Sequence, residues 1–278
     1  INNLKNKFKK WGLYASVIGN VIEEKEVIIS HKNKVVAQVP TSALSDQTPI
    51  NIHQIIKEPP LILQEKWKWK ENELPKAEKE GIYSSHFKKD FSWSQIILQL
   101  LSNPSIASKK WVFEQYDYQV QLNTVFKPGE SDAAVIRLRS QHDITNNQKN
   151  FLGIAASVDC NNRWVALDPY RGSIAAVTES ARNVSCVGAL PVAITNNLNF
   201  PSPETDFGYW QLSSSCDGIS EACKILETPV TGGNVSLYNE SKDKDGKTTP
   251  IQPTPVIGMV GIIQNANEAI SSGWQNID

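Results

Sequence analysis

The chain has 278 residues, is 40% hydrophobic and carries a net charge of −1, enough for one large domain or two smaller ones with real cores. Its charge is uneven, +6 over residues 1–110 and −7 over 111–278, but the basic half alternates signs, as in Glu65-Lys66-Trp67-Lys68-Trp69-Lys70-Glu71. That is the pattern of a solvated face rather than a nucleic-acid surface, and no run is long and apolar enough for a membrane span or signal peptide.

Residues 12–40 read as a β-meander. Its expected strands are Val17–Ile22, Val27–Ser30 and Val35–Val39, with a turn at Glu23–Glu26 and a polar hairpin tip at His31-Lys32-Asn33-Lys34. Three strands alone do not make a domain, so they read as the end of one. Residues 41–95 are broken by Pro59-Pro60, Pro75 and many charges, and read as a linker or wrapping segment. Trp67 and Trp69 imply that it packs on something. A helix over Trp93–Leu101, capped by Ser92 and closed by Pro104, follows. A second helix is expected over Ser105–Phe113.

From Gln119 the pattern becomes α/β. Strands are expected at Ala133–Leu138, Gly153–Asp159, Pro191–Thr195, Pro229–Val230 and Val256–Ile263. A helix over Gly172–Val187 carries Ile174, Val177, Ala181 and Val184 at helical spacing, with Gly188 as its C′ residue. A second runs over Phe207–Leu226, with the internal Gly218 as its weakest point.

Four stretches carry more chemistry than generic core. Asp168-Pro169-Tyr170-Arg171-Gly172 is a helix start, either a plain cap or an anion site. In Arg182-Asn183-Val184, Arg182 reads as a buried or interfacial ion-pair partner, and Asn183 as a weak ligand for a hard cation. Thr195-Asn196-Asn197-Leu198-Asn199-Phe200 gathers amides at a strand end, the ligand side of an α/β sheet. Thr231-Gly232-Gly233-Asn234-Val235-Ser236 reads as a loop, either a simple turn or a nest of backbone N–H groups for a phosphate. It lacks the lysine of a Walker motif. The four cysteines, 160, 186, 216 and 223, form no CxxC pair and read as buried free thiols in a reducing compartment. The histidines at 31, 53, 86 and 142 read as surface residues.

Together these stretches resemble the second ATP-binding-type domain of phosphoribosylformylglycinamidine synthase. Tyr116-Asp117, 123–134, 168–172, 181–191, 195–200, 218–223, 232–240 and 253–261 follow that family's order and spacing. Residues 8–45 resemble the end of a preceding C-terminal-type domain, including Trp11-Gly12-Leu13 and Val17-Ile18-Gly19. The segment 46–110 matches poorly. The resemblance implies an α/β (α+β type) chain with an aminoimidazole-ribonucleotide-synthetase-like N-terminal-type domain. It divides into 1–45, the end of the preceding domain; 46–110, a linker with a helix; 111–264, the N-terminal-type domain; and 265–278, the start of the next segment. It implies ATP and Mg2+ as cofactors. Asn196 and Gly233 would contact ATP, Asn234 the magnesium, and Ser236 the substrate formylglycinamide ribonucleotide. Many family members carry aspartate at position 196, and the first domain carries an acidic ligand where Asn183 stands. A glutaminase subunit or domain would supply ammonia, and the missing first domain would pair with this one as a pseudo-dimer. The chain would then be an internal fragment of a cytoplasmic or plastid-stroma ligase, with no catalytic residue of its own and no ligase activity alone. The alternatives are a scaffold with a structural nucleotide, and another synthetase of the superfamily, such as aminoimidazole ribonucleotide synthetase or selenophosphate synthetase.

Overall fold

A computed structural model describes residues 1–50, 52, 58–74, 76–84, 89–140 and 150–274. It divides into two compact units, Ile1–Gln54 and Ile55–Asp278.

The first unit opens with an unexpected helix, α1 (Asn2–Lys10), whose last turn holds Lys7, Lys9 and Lys10 near the negative end of its dipole. Strands β1 (Glu26–His31) and β2 (Lys34–Pro40) form an antiparallel hairpin. Lys32 and Asn33 both take positive φ, as a two-residue turn with the right twist requires. The expected tip is therefore correct. The expected strand Val17–Ile22 does not form, and Ile18 and Val21 are fully exposed. Among the described residues it has no neighbouring strand to satisfy its backbone.

In the second unit the segment read as a linker carries α2 (Leu61–Lys66) and a small hairpin, β3 (Gly81–Ser84) with β4 (Lys89–Ser92). Trp67 Nε1 donates to the Leu167 carbonyl at 2.8 Å, which anchors the segment, whereas Trp69 is exposed. Helix α3 (Trp93–Ser102) starts at Ser92 with a reciprocal capping box. Ser92 Oγ accepts from Gln95 N, and Gln95 Oε1 accepts from Ser92 N. The next helix, α4 (Lys110–Phe113), is shorter than its expected span. Asn103 Oδ1 accepts from Ser105 N at 2.9 Å and folds this stretch into a turn instead.

The main sheet has β5 (Ala134–Arg137), β6 (Gly153–Asp159), β7 (Leu190–Asn199), β8 (Val230–Ser236) and β11 (Thr254–Ile263), ordered β5-β6-β11-β7-β8. The pairs are antiparallel except β7 with β8, which are parallel. Between β8 and β11 a short hairpin, β9 (Glu240–Lys242) and β10 (Thr248–Pro250), stands apart from the sheet. Helices α5 (Asn162–Leu167), α6 (Pro169–Cys186) and α7 (Asp206–Ile225) belong to the same unit.

Helix α6 packs on β6, β7 and β11, and α7 packs on α6. Strand β11 alternates half-buried and buried along its whole length, so only one face of the sheet points into the core. That core holds Val135, Ala155, Val177, Val184, Ile194, Ile257 and Met259. Full burial of each Val, Ile or Met is worth about 1.5–3 kcal/mol. On the other face Ala134 and Ala156 are exposed, and Val158 is 71% exposed.

Helix α7 covers the expected span and runs unbroken through Gly218. A Cβ at this buried glycine would lie 2.2 Å from the Tyr170 carbonyl oxygen, so its absence is what lets α7 approach α6. The packing gain outweighs the helix penalty of glycine, about 1 kcal/mol. Gly218→Ala gains that propensity but overlaps the backbone of α6, an overpacking cost of about 1–3 kcal/mol or more. The expected net result is a melting temperature lower by about 2–8 °C, read by thermal denaturation.

Candidate functional site: the amide strip on β7 and β8

The two stretches expected at a strand end and in a loop are both strand. Strand β7 runs on through Asn199, and Thr231–Ser236 is β8, the edge of the sheet. Gly232 and Gly233 do not take positive φ, and their segment is committed to pairing with β7. A phosphate nest of consecutive N–H groups, which needs a turning backbone, therefore does not form here.

Parallel pairing sets the four predicted site residues on one strand pair, Asn196 and Gly233 toward one face and Asn234 and Ser236 toward the other. Asn196 faces Gly233, Asn197 faces Asn234, and Asn199 faces Ser236. A Cβ on Gly233 would sit 2.1 Å from Asn196 Oδ1, so the Asn196 amide lies directly against the glycine. Asn234 Nδ2 donates a long hydrogen bond, 3.4 Å, to Asn197 Oδ1. Asn234 itself is exposed, and its Oδ1 is an acceptor of the type a ligand can use. Thr195 Oγ1 donates to the Gly232 carbonyl and Thr231 Oγ1 to the Ile194 carbonyl, both at 3.1 Å, which stitches the two strands.

Asn239, which the sequence reading did not single out, organises the end of β8. Its Oδ1 accepts from Ser236 Oγ at 3.1 Å, while its Nδ2 donates to the carbonyls of Ser236 and Phe200. It both closes the turn after β8 and fixes the Ser236 hydroxyl. Tyr238 in the same turn takes φ 61°, a strained conformation for a bulky residue. Its hydroxyl donates to Glu204 Oε1 at 3.1 Å, and that bond raises the Tyr238 pKa. The signal for this turn was the polar run Tyr238-Asn239-Glu240 just after β8.

The strip suits a cation only as one neutral ligand. Magnesium takes oxygen donors in octahedral geometry and keeps waters and phosphate oxygens around it. Asn234 Oδ1 fits one such place. Among the described residues no three His, Cys, Asp or Glu side chains gather as a metal site.

The other candidate stretches resolve differently. Asp168 Oδ1 accepts from Arg171 N at 3.0 Å and caps α6. Its carboxylate fills the place an anion would take, so the cap reading holds and the anion reading is corrected. Arg182 is exposed and makes no ion pair among the described residues, which corrects its buried reading. Asn183 Nδ2 donates to Asp159 Oδ1, and Ser157 Oγ to Asp159 Oδ2, each at 3.0 Å. All four cysteines are free, but only Cys223 is buried, and Cys186 and Cys216 are exposed on their helices. Burial, then the charge of Glu179, pushes the half-buried Cys160 thiol up to about 11. His31 is exposed at the end of β1; His53, His86 and His142 lie outside the described residues.

Residues 130–263 match the family model "AIR synthase related protein, N-terminal domain". Over all 278 residues the chain is 70% identical to phosphoribosylformylglycinamidine synthase subunit PurL of Prochlorococcus marinus strain MIT 9312. The chain belongs to the phosphoribosylformylglycinamidine synthase PurL family. It spans 36% of that relative's length. Among solved structures it resembles three of Thermotoga maritima. The PurLQS structure gives a TM-score of 0.60 and 26% identity, covering 100% of this chain and 40% of that one. PurL complexed with ATP gives 0.60 and 27%, covering 96% and 36%. PurL complexed with FGAR gives 0.59 and 27%, covering 96% and 35%. Relatives of this family are ligases of purine biosynthesis, and the mixed α/β sheet is the fold expected of them. Among the described residues no helix is long and apolar enough to cross a membrane.

The Asp159–Asn183 contact generates a test. Asn183→Asp puts two carboxylates within hydrogen-bond reach, which raises the pKa of the pair above the unfolded value. Stability is then intact at low pH and lost as pH rises through the raised value. Thermal melts should show a loss on the order of 1 kcal/mol at pH 8 that disappears near pH 4.

Proposed function

We propose that this chain supplies one wall of the active site of an ATP-dependent ligase that converts formylglycinamide ribonucleotide to formylglycinamidine ribonucleotide. In that reaction ATP phosphorylates the oxygen of the glycinamide amide and leaves as ADP, ammonia drawn from glutamine adds at that amide carbon, and phosphate departs, so the amide becomes an amidine while the formyl group is kept. The observation that carries the proposal is the register of β7 and β8, which sets Asn196, Gly233, Asn234 and Ser236 along one pair of strands. The similar Thermotoga maritima PurL has been solved with ATP and with FGAR, which supports both ligand classes for this fold.

Within this reading Asn196 and Gly233 contact ATP. The bare glycine lets the nucleotide approach the backbone beside the Asn196 amide. Asn234 offers Oδ1 to a magnesium ion, whose charge would draw the phosphates to the strand. Ser236, held by Asn239, binds the ribonucleotide. These groups are neutral and none is a general acid or base, so we assign them binding and positioning roles and expect no ligase activity from this chain alone.

The uncovered sheet face around Ala134, Ala156 and Val158 is the surface for the first ATP-binding-type domain, giving a pseudo-dimer. A glutaminase subunit or domain is the ammonia source, in keeping with the PurLQS assembly solved from Thermotoga maritima. Residues 1–45 close a preceding C-terminal-type domain, 46–110 link it to the N-terminal-type domain at 111–264, and 265–278 lead onward. Unpaired cysteines favour a reducing setting, cytoplasm or plastid stroma.

A second reading is a structural nucleotide in a scaffold domain, favoured by Asn183 donating to Asp159 where an acidic ligand would stand free. Calorimetry of the chain with ADP and magnesium separates the two. Tight binding without substrate supports the scaffold, and no binding supports a shared site. In the full-length ligase, Asn234→Ala and Ser236→Ala should each lower kcat/KM by about tenfold or more. Normal turnover in the double variant would remove the assignment.

A further inference from the structure

Asn239 sits where three backbone segments meet. Its backbone N–H donates to the Phe200 carbonyl at 3.2 Å, and its own carbonyl accepts from Ile251 N at 3.2 Å. Phe200, fully buried just past β7, in turn donates its N–H to the Ser236 carbonyl at 3.0 Å. The side chain is held as firmly. Nδ2 donates to the Ser236 carbonyl at 2.8 Å and to the Phe200 carbonyl at 3.1 Å. Carbonyl oxygens only accept, so these two contacts fix which end of the amide points where. The oxygen end is left facing Ser236 Oγ, 3.1 Å away. An amide oxygen also only accepts, so the serine hydroxyl is the donor in that contact.

A serine hydroxyl has one proton and two lone pairs. With the proton given to Asn239, Ser236 Oγ has only lone pairs to offer a ligand, and no other hydrogen bond reaches it among the described residues. Turning the proton toward a ligand would leave the half-buried Asn239 Oδ1 unpaired, a penalty that accepting from the ligand avoids. A hydroxyl polarised in this way reads a donor. The ribonucleotide carries donors in its ribose hydroxyls and amide N–H groups. Its phosphate monoester, with a second pKa of about 6, presents acceptors at neutral pH.

We propose that Asn239 is a positioning residue that makes Ser236 a hydrogen-bond acceptor, so that Ser236 reads an O–H or N–H of the ribonucleotide and not its phosphate. The proposal rests on the reading of Ser236 as the ribonucleotide contact, and the experiment separates the two. Steady-state kinetics of the full-length ligase compare formylglycinamide ribonucleotide with its 5′-dephosphorylated riboside, each at subsaturating concentration. Ser236→Ala should lower kcat/KM by about tenfold for both, because both carry the donor. A loss confined to the ribonucleotide would put Ser236 on the phosphate and overturn the proposal. No loss with the ribonucleotide would instead remove the reading beneath it. The 2′-deoxy and 3′-deoxy ribonucleotides then name the donor. A loss that disappears with one of them assigns that hydroxyl, and a loss kept with both assigns an amide N–H. Asn239→Ala should raise KM with kcat held within about twofold, and adding it to Ser236→Ala should cost nothing more, because its effect runs through that hydroxyl. Additive losses would make Asn239 a structural residue only and overturn its positioning role. The Ser236→Ala comparison decides what Ser236 reads even if Asn239→Ala does not fold.

Discussion

The close approach of α6 to α7, made possible by a glycine where any side chain would strike the Tyr170 carbonyl, is the constraint on which the rest of the second unit depends. With α7 held there, α6 lies along the sheet and fills its inner face with Val177, Ala181 and Val184. Because α7 leaves β7 and returns the chain to β8, it also sets β8 parallel to β7 at the sheet edge. The helices thereby take one face of the sheet, and Ala156 and Val158 on the other remain exposed. A half-covered sheet is what a domain built to meet another one would show.

Register turns this packing into chemistry. Parallel pairing puts amides opposite amides and one amide opposite a glycine, and Asn239 locks the hydroxyl at the strand's end. The result is a strip of neutral donors and acceptors on an exposed edge. Such groups orient and discriminate, whereas proton transfer and strong charge stabilisation need ionisable partners. The strip therefore makes chemical sense as part of a larger site.

Much of the fold was legible because it is local. Ser92 and Gln95 lie three residues apart and form their capping box, the Lys32-Asn33 tip took its turn, and the strand at Gly153–Asp159 has its expected bounds. What failed was non-local. The Gly-Gly pair looks like a turn until β7, 37 residues away, pairs with it, as Thr195 bonding to Gly232 illustrates. Gly218 lies in the helix the sequence indicated, but the reason for a glycine there appears only when Tyr170 is set against it. The strand expected at Val17–Ile22 lacked a neighbour, and Arg182 proved exposed because its helix turns that side outward. The four proposed site residues come from resemblance, and their juxtaposition came only with the pairing of β7 and β8. Asn239 had no sequence signal beyond polarity.

The central claim is that the naked backbone of Gly233, with the Asn196 amide against it, is where nucleotide meets this wall. The direct measurement is ATP affinity of the full-length protein carrying Gly233→Ala, alongside its melting temperature. The added methyl, at an exposed edge but 2.1 Å from Asn196 Oδ1, should push the amide aside. The account predicts that ATP binding weakens by about tenfold or more while the fold persists. Unchanged ATP affinity in a folded Gly233→Ala protein would contradict it.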